Sequence, residues 1–284
     1  MNATIGEIGR SRSILLAPSA LVFIGLFVLP MLYFFLVSFW QVSLFDLDRT
    51  FTVKNYIRTY QEYLGVAGFT FLIAGIIALL TTLIALGFAY AVRFKVGRFG
   101  TILLFGALIS LFGGYLAKVY AWKTILGTNG ILNTALLNLG VIDEPITAFI
   151  FNPGAVVVTL THYLLPLAIL PIYGSLRGVS DLTIEAARDL GSTPIATFFN
   201  IILPQCGSGL IASFSFTFLI AAGDYVTPRL VGGPSTTMIG NYIESLFGFR
   251  FDWPLGSAMS FSTLFCCVGI LAVTSYLLIK AQRR

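Results

Sequence analysis

Charge is scarce in this sequence, and that scarcity decides the class of protein. Only 10% of the 284 residues are Asp, Glu, Lys or Arg, while 57% are hydrophobic and 14% are aromatic. Soluble domains carry about 25% charged residues, so the composition excludes an ordinary soluble enzyme. A membrane-spanning helix needs roughly 20 apolar residues, and such runs recur along the chain. The sequence therefore predicts an all-α integral membrane protein.

Side chains that build active or metal sites are also few. There is one His, and the three cysteines, Cys206, Cys266 and Cys267, lack the spacing of metal ligands. We interpret these cysteines as packing residues. No stretch has the form G-x-x-x-x-G-K-[ST], so the chain has no phosphate-binding loop of that type. We predict no catalytic group, no metal and no cofactor bound by this chain.

Uncharged runs predict six membrane spans. The spans lie at about residues 14–40, 66–92, 99–121, 152–176, 208–222 and 256–279. A further uncharged run, at 124–142, contains Asn129, Asn133 and Asn138. Amide side chains are costly where they face lipid, so we interpret this run as a short helix packed at the surface.

Basic residues indicate which side of the membrane each segment occupies. With six spans, one side holds the N-terminus, residues 93–98, residues 177–207 and the C-terminus, and with them ten of the 17 Lys and Arg residues. Cytoplasmic segments carry the excess of Lys and Arg, so this side is predicted to be cytoplasmic, with both termini there. Orientation thus accounts for the net charge of +5, and no nucleic acid is needed to explain it.

One charged stretch, residues 180–204, interrupts the apolar pattern. Ser180 precedes an acidic first turn and is a predicted N-cap, and Gly191 stands where a C′ glycine ends a helix. Thr193 and Pro194 then predict the N-cap and the first residue of a second helix. The stretch is therefore predicted to be a helix–turn–helix on the cytoplasmic face.

The same stretch resembles a family signature. Glu-Ala-Ala, three residues, Gly, nine residues, Ile, one residue and Leu-Pro is the loop pattern of permease subunits of binding-protein-dependent ABC importers. The matching positions are Glu185, Ala186, Ala187, Gly191, Ile201, Leu203 and Pro204. Pro204 is also expected to interrupt the second helix near the entry of the fifth span. The resemblance implies a type I permease-like fold, in which this loop forms coupling helices that sit in a groove of a cytoplasmic ATPase.

The resemblance also implies roles and partners. Glu185 would orient the coupling helix through a basic ATPase residue. Ala186 and Ala187 would allow close approach, and Gly191 would make the corner. The implied partners are a second homologous permease, two copies of the ATPase with ATP and Mg bound there, and a soluble solute-binding protein. The implied location is the bacterial inner membrane.

Three further stretches, Tyr120–Gly140, Gly223–Ile243 and Asp252–Ser260, are similar to the spermidine/putrescine branch of the family, and within it to the type-B permease. This implies import of a polyamine. Relatives in the branch import other small solutes, so a permease for an opine, an amino-acid derivative or a phosphonate is an alternative. A secondary transporter without an ATPase is another; it predicts buried ionisable residues, and the predicted spans nearly lack them. An intramembrane enzyme would need paired catalytic groups, which the spans also lack.

Three residues are candidates for the solute path, each with a structural alternative. His162 lies mid-span, where it would relay protons, bind solute or hydrogen-bond a neighbouring helix; we favour the last because no carboxylate accompanies it in the spans. Asp224 and Tyr225 would lie at the outer end of the fifth span, where a carboxylate and an aromatic face suit an ammonium group. They equally fit an N-cap and an interfacial Tyr. Lys118 is expected to extend to the headgroups.

Overall fold

The computed structural model describes residues 17–43 and 46–282. This part of the chain is mostly helical, in agreement with the predicted fold class. The principal helices are α1 (Ala17–Val37), α2 (Lys54–Phe94), α3 (Gly97–Phe112), α4 (Tyr115–Leu126), α5 (Ile131–Asn138), α6 (Pro153–Arg177), α7 (Asp181–Asp189), α8 (Pro194–Gln205), α9 (Gly207–Gly223), α10 (Ile239–Gly248) and α11 (Trp253–Gln282). A short antiparallel hairpin pairs β1 (Gln41–Ser43) with β2 (Asp46–Asp48).

Four of these helices, α1, α2, α6 and α11, are long and apolar enough to cross a membrane. Two bent sets of helices also qualify when each is taken as one span. The first runs from α3 into α4 and α5 with a bend of 97°, and the second runs from α8 into α9 with a bend of 67°. The described residues thus offer up to six spans, which is the number that the sequence predicts.

The chain divides into two compact units. They consist of Met1–Glu62 with Ile243–Leu264, and of Tyr63–Tyr242 with Phe265–Arg284. Each unit is therefore assembled from segments that are distant in the sequence.

Aromatic rings join the two segments of the first unit. Phe34 and Phe247 meet edge to face with ring centroids 5.9 Å apart, and Phe35 and Phe261 meet in the same way at 5.0 Å. Asn55, near the start of α2, donates from Nδ2 to two backbone carbonyls just beyond α1, at 2.7 and 3.0 Å. These bonds satisfy carbonyls that the end of a helix leaves without partners.

The second unit has two hydrophobic clusters that share α2 and α6. One includes Leu160 and Leu164 of α6 with Phe218 of α9, and the other extends to Ile184 of α7 and Ile202 of α8. The face of α2 that enters these clusters is lined by small residues that are fully buried, Ala74, Ala78, Ala85 and Ala89. Small side chains let helix backbones approach closely, which is how apolar helices pack without a hydrophobic driving force.

Helix α9 packs closely against α6 at Gly209. A Cβ atom at this position would lie 2.5 Å from the carbonyl oxygen of Pro171 and would also overlap the hydroxyl of Ser175. Only a glycine fits there without a shift of backbone or side chain. Gly209 therefore has a packing role inside α9.

The third predicted span, residues 99–121, is interrupted in the structure. Helix α3 ends at Phe112, and Gly113 and Gly114 have extended backbone angles, with ψ of 108° and 143°. Glycine costs a helix about 1 kcal/mol relative to Ala, so two in succession favour a break that an uncharged run does not reveal. Lys118 is consequently carried back toward α3, where its Nζ donates to Ser110 Oγ at 3.0 Å. Its ammonium group thus has a partner within the protein.

Helix α5 occupies the uncharged run at 124–142 that was predicted to hold a short helix. Its Asn133 is 1% exposed and bonds the loops on both sides of the helix. Nδ2 donates to the carbonyls of Gly127, Thr128 and Ile146 at 3.0–3.3 Å, and Oδ1 accepts from the Ile146 amide at 2.9 Å. The amide that argued against a lipid-facing span therefore has its partners within the protein.

Candidate functional site

Helix α7 is a short amphipathic helix whose inner face is anchored in the second unit. Ile184 and Ala187 are buried, while Glu185 and Ala186 are exposed. Ser180 takes the N-cap position with extended backbone angles, as predicted, although its hydroxyl makes no capping hydrogen bond. The helix therefore begins at Asp181, after the cap position that was predicted. Its outer face, which carries Glu185 and Ala186, is open to contact with another protein.

Gly191 closes α7 with a Schellman motif. The amide of Ser192 donates to the carbonyl of Ala187, and the amide of Gly191 donates to that of Arg188, both at 2.9 Å. Gly191 has φ of +84°, in the region that residues with a Cβ atom rarely adopt. The glycine corner predicted from the sequence is confirmed.

Helix α8 begins directly after this corner. The hydroxyl of Thr193 accepts a hydrogen bond from the Ala196 amide at 3.2 Å, and Pro194 is the first helical residue, as predicted. Pro204 does not interrupt the helix. It lies in the last turn of α8, and the 67° bend falls at Cys206, between α8 and α9. A π-helical segment, Phe198–Ile202, ends two residues before the proline, and such a widened turn accommodates a ring that lacks an amide hydrogen.

An ion pair connects the end of α2 to the start of α7. Arg93 donates to a carboxylate oxygen of Asp181 at 2.8 Å, and its guanidinium lies 4.8 Å from the ring centre of Phe94. The Asp181 side chain is 64% exposed, and exposed ion pairs contribute at most about 1 kcal/mol. The pair therefore positions α7 more than it stabilises the fold.

A cavity of about 270 Å³ opens beside this ion pair, between the end of α2 and the two short helices. Its walls include Arg93, Lys95, Asp181, Glu185 and Arg188. Glu185 is the signature residue with a titratable side chain, and the structure places it among three cations. We call this space, lined by those five charged residues, the basic cavity.

The seven signature positions do not form one surface. Glu185 and Ala186 are exposed on α7 and Gly191 is exposed at the corner, whereas Ala187 is buried, and the last three, Ile201, Leu203 and Pro204, are half-buried in α8. The sequence did not indicate the pairing of Arg93 with Asp181, because the two residues lie 88 positions apart. The available signal was the predicted cytoplasmic location of both residues.

Asp224 lies at the end of α9 and is only 9% exposed. Its Oδ1 accepts hydrogen bonds from the Tyr115 hydroxyl at 2.5 Å and from the Val226 amide at 3.1 Å. The Tyr115 hydroxyl also lies 2.9 Å from Thr227 Oγ1. The bond from Val226, two residues further along the chain, closes a local turn of the type that Asp side chains form. Oδ2 of Asp224 is buried and has no hydrogen-bond partner among the described residues.

The sequence analysis did not predict a role for Tyr115, because it is one of many aromatic residues in an apolar run. The break at Gly113–Gly114 is what brings it to the start of α4 and into contact with Asp224. Tyr225 is 42% exposed, and its carbonyl accepts from Asn241 Nδ2 at 2.6 Å. Carboxylate and aromatic ring are thus adjacent in the chain but differ in accessibility.

His162 lies on the exposed side of α6. Its ring meets the ring of Trp122 edge-on at a centroid distance of 5.6 Å. The described residues supply no hydrogen-bond partner for it, which differs from the expected bond to a neighbouring helix. Among the described residues, no His, Cys, Asp or Glu side chains form a group of three that could hold a metal ion.

Comparisons with known proteins agree on the family of this chain. Residues 101–283 match the family model described as binding-protein-dependent transport system inner membrane component. A relative from Haemophilus influenzae, named spermidine/putrescine transport system permease protein PotB, is 34% identical over 74% of this chain and 73% of its own length. The protein of the same name from Escherichia coli is 35% identical over 78% of this chain and 80% of its own length.

A solved structure has a similar fold. It is described as a bacterial ABC transporter involved in the import of the acidic polysaccharide alginate, and the similar chain has a TM-score of 0.71, with 99% of each chain covered and 14% identity. At this identity the likeness concerns the fold alone, which is that of an ABC importer permease. The matched family model covers well over half of the sequence, so the chain belongs to the family of binding-protein-dependent transport system inner membrane components and is a multi-pass permease of the inner membrane.

Proposed function

We propose that this chain is the permease subunit of an ATP-driven importer that moves a polyamine, such as spermidine or putrescine, across the inner membrane. The observation that carries the proposal is the 34–35% identity, over about three quarters of the chain, to two permeases named for those solutes. A soluble solute-binding protein delivers the solute, and a second homologous permease completes the pore.

The exposed surface of α7 and of the following corner supports coupling to a soluble ATPase. Leu182 and Leu190, near the two ends of α7, are 76% and 89% exposed, although the helix has an acidic, polar face. Apolar side chains left exposed beside charged ones mark a surface that another protein covers. Two ATPase copies, which bind the ATP and Mg, cover this surface and its equivalent on the second permease. The surface and both termini then lie on the cytoplasmic side.

The packing of α7 supports a route by which ATPase closure moves the spans. Ile184 and Ala187 anchor α7 in the second hydrophobic cluster, and the ion pair from Asp181 to Arg93 holds its start against the end of α2. A displacement of Glu185 or Gly191 would therefore be passed to α2 and α6 through these packed side chains. ATP binding closes the ATPase dimer, and the spans turn outward to accept solute from the binding protein.

Asp224, Tyr225 and His162 are the proposed contacts along the solute path. Oδ2 of Asp224 has no partner among the described residues, so one carboxylate oxygen remains for an ammonium group while Oδ1 is held by Tyr115. The exposed ring of Tyr225 offers a face to the same cation. The exposed His162 of α6 and the half-buried Trp122 of α4 form an aromatic pair, and an alkyl chain between ammonium groups would pack on it.

The proposal is tested by purifying the tagged chain from native membranes in mild detergent and identifying its companions by mass spectrometry. We expect two ATPase copies for each copy of this chain, a second permease and a solute-binding protein. The purified assembly, reconstituted in vesicles with ATP inside, should take up labelled putrescine, and omission of the ATPase should abolish uptake. Transport by the chain alone would overturn the coupling role. If the assembly takes up another solute with ATP, and polyamines are neither transported nor inhibitory, the assignment of a polyamine as the solute would be wrong.

A further inference from the structure

An apolar groove adjoins the basic cavity. It has a volume of about 430 Å³ and is lined by Leu83, Leu86, Gly87, Ile195, Phe198 and Phe199, together with Tyr90 and Pro194. Tyr90 and Pro194 also line the basic cavity. The apolar groove and the charged cavity are therefore adjacent and share Tyr90 and Pro194 as lining residues.

The charges of the basic cavity leave one positive charge in excess. Arg93 and Asp181 neutralise each other across 2.8 Å. The other charged side chains in the lining are Lys95, Arg188 and Glu185, and no salt bridge joins them within the described residues. A ligand head that carries a single negative charge would balance the cavity.

The groove has the surface expected of a site for hydrocarbon. Leu83, Ile195 and Phe199 are 55%, 72% and 58% exposed. A Cβ atom added at Gly87 would have no heavy atom within 4 Å, so the space in front of α2 is open at this point. An aliphatic chain in the groove would cover side chains that the second unit leaves exposed.

We propose that the groove and the basic cavity together bind one anionic phospholipid, with an acyl chain in the groove and the phosphodiester in the basic cavity. A phosphodiester with a neutral head carries one negative charge, which matches the excess charge. Basic pockets beside membrane helices are where such headgroups bind. The lipid would contact both α2 and α8, because residues of both helices line the groove. It would therefore contribute to the packing of α8 against α2.

The site is tested in the assembled transporter, reconstituted in nanodiscs with equal amounts of phosphatidylglycerol and phosphatidylcholine that have identical acyl chains. A photoreactive p-benzoylphenylalanine replaces Phe199 in the groove, and the mass of each adduct identifies what lies there. We expect phosphatidylglycerol adducts to exceed phosphatidylcholine adducts, by about fivefold for each unpaired cation that contacts the head.

Two matched pairs of variants separate head from chain. Lys95→Gln should lower the ratio of phosphatidylglycerol to phosphatidylcholine adducts about fivefold, whereas Arg98→Gln, which removes the same charge from a side chain that lies on the Phe99 ring, should leave it unchanged. Gly87→Leu fills the groove and should remove lipid adducts of both kinds. Gly75→Leu adds the same side chain to α2 at another open position and should retain them.

Several outcomes would overturn the proposal. Equal adduct yields for the two lipids would mean that the basic cavity selects no anion. Adducts to a protein subunit in place of lipid would assign the groove to an interface of the assembly. Full labelling in Gly87→Leu would place the lipid outside the groove. Loss of the preference on addition of inorganic phosphate would mean that the cavity binds the free anion and that the groove contributes nothing.

Discussion

Gly191→Val tests whether the corner after α7 is needed for transport. The Cβ atom itself meets nothing, because no heavy atom lies within 4 Å of its position. The cost is confined to the backbone, which at φ of +84° opposes a side chain by about 1–2 kcal/mol. The preceding Leu190 is 89% exposed, so few tertiary contacts hold the corner in place, and the backbone can shift away from this conformation in the variant. A penalty of this size shifts a local equilibrium by about 5–30-fold, so we expect uptake to fall at least about fivefold while membrane insertion is unchanged.

Gly140→Val is the matched control. Gly140 closes α5 with the same motif: its φ is +66°, its amide donates to Leu137, and the next amide donates to Leu136. Its Cβ position is also open, so the backbone cost is the same. Uptake of labelled solute and the amount of inserted protein are measured for both variants, and for Gly191→Asn, which should retain uptake because Asn tolerates this conformation. Wild-type uptake in Gly191→Val would refute the coupling role of the corner. Equal losses of uptake in both valine variants would mean that the substitution acts by general destabilisation.

Three further outcomes are expected. Asp224→Asn keeps an oxygen for the existing hydrogen bonds but removes the charge, so uptake of a cationic solute should fall about tenfold or more, while Lys118→Gln has little effect; equal effects would return the aspartate to a structural role. Gly209→Ala should lower the melting temperature in detergent, because the close approach to α6 leaves no room and overpacking costs about 1–3 kcal/mol; Gly223→Ala, in the same helix with open space, should not. Asn133→Leu leaves a buried amide and carbonyls unpaired, and should cost about 1–3 kcal/mol in thermal unfolding.

The sequence predicted best where local chemistry determines conformation. Gly191, Thr193 and Pro194 each specify a backbone state through their own side chain or lack of one, and all three take the predicted positions. The helical class and the possible number of spans follow from the length of the uncharged runs, which the bilayer thickness dictates. The same locality explains why the short helix around Asn133 was predicted, since its amide excludes a lipid-facing position.

The features that the sequence did not predict depend on tertiary contacts. Tyr115 bonds Asp224 across 109 positions, and Arg93 bonds Asp181 across 88; no periodicity indicates either pair. The break at Gly113–Gly114 was missed because hydropathy measures apolar length and ignores the helix penalty of glycine. The bend after α8 was assigned to the proline instead of Cys206, since the π-helical turn before it depends on hydrogen bonds and cannot be read from residue type.

The aromatic pairs of the first unit constrain how the protein is made. Phe34 is synthesised long before Phe247, its partner ring at 5.9 Å. At a rate of about 5–20 residues per second, the roughly 200 residues between the two rings take about 10–40 s to emerge from a ribosome. Only 6% of the apolar stretch of α1 is buried even in the finished fold, so during this interval the newly inserted helix has lipid as its neighbour. A polar substitution on this surface would therefore act during biogenesis, by lowering the yield of inserted chain, before it could affect the mature transporter.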